Sequence, residues 1–159
     1  MSFLDMDERI LDVAAAADLV YSPLVDAKEF PEDVDVTLVE GAVSSEEDLH
    51  KIKLVRERTK ILVSLGDCAV TANVPGMRNS FGTKAVYDRA YRENVTFDPG
   101  IPNQVVPALL PTSRPVHEFV KVDVFVPGCP PSADTIHYVV TELLAGRTPE
   151  VGSRTRFGS

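Results

Sequence analysis

The sequence predicts an α/β fold: a parallel sheet covered by helices on both faces. Apolar runs of strand length occur at Val34–Val39, Ile61–Leu65 and Val122–Val126. Helical stripes lie between and after them, at Ser44–Thr59 and Ala133–Leu144. Such alternation of the two periodicities along one chain is the mark of strands joined by crossover helices. The chain has 159 residues, 44% of them hydrophobic. That suffices for one compact domain, read as residues 1–146, followed by a polar tail, 147–159, expected to fray.

The first helix is expected over Met1–Ala17, where Phe3, Leu4, Ile10, Leu11, Ala14 and Ala17 share a face. Leu19–Tyr21, closed by Ser22-Pro23, reads as a short strand, and Val34–Val39 as a longer one. Ser44 or Ser45 starts a helix, since Ser44 and Glu47 fit a capping box and Leu49, Ile52, Leu54 and Val55 form its stripe, and the helix ends near Thr59. Ile61–Leu65 is a buried-type strand stopped by Gly66, and Val122–Val126 another stopped by Pro127-Gly128. Ala133–Leu144 is the closing helix. Between Val74 and Val116, prolines at 75, 99, 102, 107, 111 and 115 make an irregular excursion with one helix around Thr83–Tyr91. Excursions of that length are functional, interfacial or merely mobile.

Composition excludes several function classes. Twenty-four acidic against sixteen basic residues, a formal charge of -8, give a phosphate backbone no electrostatic footing, so no nucleic acid is expected. The longest apolar stretches, Val13–Ala17 and Val105–Leu110, fall far short of the roughly 20 residues that span a bilayer. No basic segment with an apolar core opens the chain, and a soluble, cytoplasmic protein without a membrane span is expected. Two cysteines exclude a disulfide scaffold, leaving each thiol as a small core residue or a ligand.

Three predicted strands end in chemistry. Glu40 closes VTLVE, Cys68 stands three residues past ILVSL, and Cys129 three residues past VDVFV. In an open parallel sheet the carboxyl ends share one edge, where ligands bind, so Cys68 and Cys129 can meet. Gly66 and Gly128 admit a bulky group close to the backbone. Pro130 biases Cys129 towards an extended backbone, and Pro131 suits a first helical turn. Asp67 is a poor neighbour for a nucleophilic thiolate, but a positive metal centre would reverse that sign. Two thiolates suit an iron–sulfur cluster or zinc, each of which commonly takes four ligands. His50, His117 and His137 lack metal-ligand spacing and read as structural. Glu40 is a candidate for hydrogen bonding or proton relay near such a centre, or else a partner for backbone donors at the next helix start.

The segments SFLDMDER at Ser2–Arg9, VEGAVSSEE at Val39–Glu47, GDCAVTANVPGMRN at Gly66–Asn79 and VPGCPP at Val126–Pro131 resemble the small subunit of bidirectional, NAD-reducing nickel–iron hydrogenases. PGCPP and the Gly-x-Cys after a strand are shared with the wider family of the 20 kDa subunit of NADH:quinone oxidoreductase. The resemblance implies a flavodoxin-like, three-layer fold holding one 4Fe–4S cluster next to the nickel–iron site of a large subunit. Cys68 and Cys129 match the third and fourth cluster ligands. The first two form a Cys-x-x-Cys after an opening strand, upstream of SFLDMDER. By that pattern the chain is N-terminally truncated and lacks a first strand that is central in flavodoxin-like sheets. The implied role is electron transfer between the large subunit and diaphorase subunits that reduce NAD. By residue type, Asn73–Arg78 offers Val74, Met77 and Arg78 as a contact with the large subunit, or else Val74 and Met77 pack under their own loop. Other readings stay open: a 20 kDa-type subunit of another NADH dehydrogenase-related complex, a flavin-binding module seating a phosphate at the VEGAVSSEE helix, against which Glu46 and Glu47 argue, and a zinc-binding or thiol-redox protein using the two cysteines.

Overall fold

Alternating side chains of the central strand build two cores at once. The computed structural model describes residues 4–22 and 26–157. Its main sheet is parallel, with strand β1 (Val34–Glu40), strand β3 (Thr59–Leu65) and strand β5 (Val124–Val126) in the order β1-β3-β5. Leu62 and Val63, neighbours on β3, are both fully buried and face opposite ways. Leu62 packs with Ile52 and Val55 of helix α2 (Glu46–Arg58) on one side. Val63 packs with Val126 and with Val139 and Leu143 of helix α6 (Ala133–Leu144) on the other. Each such burial contributes about 1.5–3 kcal/mol, and together they give the three layers. β1 and β3 pair directly from Val34↔Thr59 to Glu40↔Leu65.

Several expectations are corrected. The opening helix is a 3-10 turn, Leu4–Met6, followed by helix α1 (Arg9–Ala16); Phe3 and Pro23 lie outside the described residues. Met6 is buried, and Arg9 reaches Asp134 of α6 at 2.7 Å, yet no residue of α1 is buried and Leu11 is exposed. Leu19–Tyr21 forms no strand; Tyr21 is held by an edge-on contact with Phe30, ring centroids 5.2 Å apart, in place of a ladder. The capping box of α2 sits one residue later than Ser44/Glu47. Ser45 Oγ accepts from the Asp48 N–H at 3.1 Å, and Asp48 Oδ2 accepts from the Ser45 N–H at 2.9 Å. Ser44 instead pairs with Ser113, Oγ to Oγ, at 2.6 Å.

The proline-rich excursion carries helix α5 (Gly82–Asp88) near where one was expected, and also order that its sequence hides. Strand β2 (Val43–Ser45) pairs antiparallel with strand β4 (Leu109–Arg114). Asn79 extends that ladder with a side chain, donating to the Ser113 carbonyl at 2.8 Å and accepting from its N–H at 2.7 Å. Part of the C-terminal tail packs on α6: Pro149 is buried, Val151 packs against the α6 core, and Arg154 lies over the Tyr138 ring at 3.9 Å. Among the described residues no helix is long and apolar enough to cross a membrane.

Candidate cluster-ligand edge

Parallel pairing places the strand ends in one row, because Glu40 pairs with Leu65 and Leu65 with Val126. Beyond that row the chain leaves β3 through Gly66 into helix α3 (Asp67–Thr71) and leaves β5 through Pro127-Gly128-Cys129. The two exits are sewn together. The Gly66 N–H donates to the Val126 carbonyl at 2.7 Å and the Asp67 N–H to the Gly128 carbonyl at 2.8 Å. The Gly128 N–H returns a bond to the Asp67 carboxylate at 2.7 Å, and Asp67 is only 4% exposed. Cys68 and Cys129 each follow directly on one member of this pair. Cys68 is half-buried in the first turn of α3, Cys129 is exposed, and both are free thiols.

Two glycines make this geometry possible. Gly66 adopts φ +84, a left-handed value that side chains resist, as the chain turns from strand to helix. Gly128 has φ +140, and a Cβ there would stand 2.6 Å from Cα of Pro131, closer than packed atoms tolerate. Pro131 is buried outside the helix: Ser132 is the N-cap of α6, its Oγ accepting from the Thr135 N–H at 3.2 Å. That corrects the expectation of Pro131 in the first turn.

Past Cys68, Ala72 takes a left-handed φ of 64 and closes α3 with its N–H on the Cys68 carbonyl at 3.0 Å. The next segment, helix α4 (Asn73–Gly76), opens with Asn73, whose Nδ2 donates to Sγ of Cys129 at 3.6 Å, within the longer reach of a sulfur acceptor. Residues at the edge that sequence reasoning missed are therefore Asp67, taken only as an electrostatic neighbour, and Asn73. Neither stands in a recognisable spacing; the signal for both is that they flank Cys68.

The remaining candidates separate. Glu40 reaches the edge, where its exposed carboxylate makes no hydrogen bond or ion pair among the described residues. It does not serve α2, whose N-terminal donors the Ser45/Asp48 box takes up. That box, with Glu46 and Glu47 in the same turn, also leaves no seat for a flavin phosphate. Arg78 turns inward, with Nη2 donating to the carbonyls of Ser44 and Leu110, both at 3.0 Å. It is a brace for β2 and β4 rather than the surface residue expected. Val74, 59% exposed, and Met77, 68% exposed, do face solvent. His117 stacks edge-on with Phe125 at 5.6 Å, and His50 is exposed on α2.

The donor chemistry of the edge fits part of an iron–sulfur site. Two free thiols stand just past strand exits held in register, with an amide donor aimed at one sulfur; the space a side chain on Gly66 or Gly128 would take is filled by the chain itself around Pro131, which corrects the expectation that these glycines admit a bulky group. Among the described residues no group of three or more His, Cys, Asp or Glu is gathered. The chain thus offers two sulfurs of the four such a cluster commonly takes.

Comparison with known proteins agrees with this architecture. The family model described as NADH ubiquinone oxidoreductase, 20 Kd subunit, matches residues 1–143. The delta subunit of the NAD-reducing hydrogenase HoxS of Cupriavidus necator is 43% identical over 152 residues, covering 92% of this chain and 73% of that protein. A subunit of the F420-non-reducing hydrogenase vhu of Methanocaldococcus jannaschii is 35% identical, covering 97% of this chain. This chain spans only 54% of that relative's length. A crystal structure of an NAD+-reducing NiFe hydrogenase in its H2-reduced state contains a chain that superposes with a TM-score of 0.92 at 35% identity. The superposition covers 99% of this chain and 90% of that one.

Proposed function

The chain belongs to the family of the NADH ubiquinone oxidoreductase 20 kDa subunit, and on that premise we propose that it is the electron-transfer small subunit of an NAD-linked nickel–iron hydrogenase. In this reading Cys68 and Cys129 are two of the four thiolate ligands of a 4Fe–4S cluster. The observation that carries it is the reciprocal bonding of Asp67 and Gly128, which fixes the two cysteine loops against each other at the carboxyl edge. A nucleophilic or thiol-redox role has less support, since neither cysteine lies in a Cys-x-x-Cys.

When bound, the cluster supplies a reversible one-electron step. The residues of the chain do the rest. Cys68 and Cys129 hold one side of the group, Gly66 and Gly128 give the two exits the backbone conformations that side chains resist, and the buried Asp67 keeps the two exits in register. Exposed Glu40 stands on the same edge as a candidate to hydrogen-bond the surroundings or carry a proton. Two further thiolates come from outside this sequence, in keeping with an upstream Cys-x-x-Cys. The partners are a large subunit with the nickel–iron site, seated against this edge, and diaphorase subunits beyond, in the cytoplasm.

The test is iron and acid-labile sulfide analysis, with electron paramagnetic resonance, of the small subunit bearing the upstream segment. One four-iron cluster per chain is expected. Cys68→Ser and Cys129→Ser should each abolish or convert it; unchanged iron and unchanged spectra in both variants would refute the ligand assignment.

A further inference from the structure

We propose that Asn73 is a positioning residue for Cys129, which holds its sulfur by an N–H···S bond and thereby raises the reduction potential of the cluster. The inference rests on the ligand reading above and extends it to a residue with no ligand chemistry of its own. Asn73 belongs to the segment that follows Cys68, yet its amide reaches across to the other cysteine at 3.6 Å. That reach is built by the backbone. Ala72, buried and held at φ 64, ends α3 on the Cys68 carbonyl and reverses the chain. The Gly76 N–H then closes a turn on the Ala72 carbonyl at 2.6 Å. Among the described residues the Cys129 sulfur is the hydrogen-bond partner of Asn73 Nδ2.

The chemistry follows from charge. A thiolate ligand carries negative charge that grows when an electron enters the group it holds. An amide N–H pointed at that sulfur stabilises the electron-rich state more than the oxidised one, and the potential rises. Removing the donor should lower it. Asn73 is exposed, so its replacement leaves the core untouched.

The experiment uses the native complex, purified from cells that encode the variant, and follows the reduced-cluster resonance in a redox titration. Asn73→Leu keeps the approximate volume and removes the donor. At a fixed potential the ratio of reduced to oxidised cluster should fall by about threefold to tenfold, tenfold being about 59 mV for a one-electron couple. Asn73→Gln restores a donor amide and should recover at least half of that shift, with iron content unchanged in both variants. A parent-like potential in Asn73→Leu, or equal falls in Asn73→Leu and Asn73→Gln, overturns the proposal while leaving the ligands in place. A parent complex whose cluster survives loss of Cys129 overturns the ligand reading and this inference with it.

Discussion

Asp67 and Gly128 hold each other by two hydrogen bonds of opposite sense: the Asp67 N–H donates to the Gly128 carbonyl at 2.8 Å, and the Gly128 N–H to the Asp67 carboxylate at 2.7 Å. One bond continues the β3–β5 ladder beyond its last pair. The other uses a side chain where the ladder has no backbone acceptor left. The pair closes the sheet directly beneath the two cysteines.

Asp67→Ala should therefore cost about 1–3 kcal/mol, because it leaves a buried Gly128 N–H without its acceptor. Asp67→Asn keeps an oxygen at that position and should cost less. Urea unfolding of the chain measures both, and amide exchange at Gly128 should accelerate in the alanine variant alone. Equal stability of wild type and Asp67→Ala would remove Asp67 from this role.

A second prediction concerns acid stability. Asp123 accepts from the Leu62 N–H at 2.9 Å and from Arg56 Nη1 at 2.6 Å. Burial pushes its carboxyl up, but the Leu62 N–H, Arg56 and Lys121 together outweigh burial and hold it below the usual carboxylate range. A depressed folded value means that this stabilisation is present above the unfolded value of about 3.9 and is lost as pH falls through the folded one. Asp123→Asn should destabilise the chain at neutral pH and flatten the acid limb of its stability curve below about pH 4. Parallel curves for the two proteins would contradict this.

The Asn73–Arg78 segment divides into two roles. Arg78→Glu should damage the fold by about 2–3 kcal/mol, since it strands the Ser44 and Leu110 carbonyls and puts a carboxylate against them. Met77→Asp, at an exposed site, should change stability by no more than about 0.5 kcal/mol yet weaken co-purification with the large subunit. Thermal unfolding beside a pull-down separates the two effects; full retention of the complex by Met77→Asp would exclude that contact.

Helix α2 offers a test of register. Ser45→Ala and Asp48→Ala should each cost about 1 kcal/mol, as each removes one half of the capping box. Glu47→Ala should be near neutral. A larger loss from Glu47→Ala than from Asp48→Ala would favour the box one residue earlier.

The layers and the row of strand ends were legible from residue pattern. The strand at Ile61–Leu65, the closing helix at Ala133–Leu144 and the shared edge of Glu40, Cys68 and Cys129 could be read, because periodicity and parallel connection follow from local pattern. Other features exist only once distant segments meet. Whether Leu19–Tyr21 becomes a strand depends on a neighbour with free backbone groups, and the Phe30 ring took that place instead. Residues 109–114 read as loop because of Pro111, yet they pair with β2, where Arg78 and Asn79 brace them from another part of the chain. Ser45 rather than Ser44 caps α2 with its side chain, while the Ser44 hydroxyl pairs with Ser113 from a distant part of the chain. Asp67 and Asn73 acquire their partners only when β3 and β5 lie side by side. Hydrogen bonds between residues 56 or 61 positions apart leave no periodic trace in a sequence, because distance in space, and not spacing along the chain, creates them.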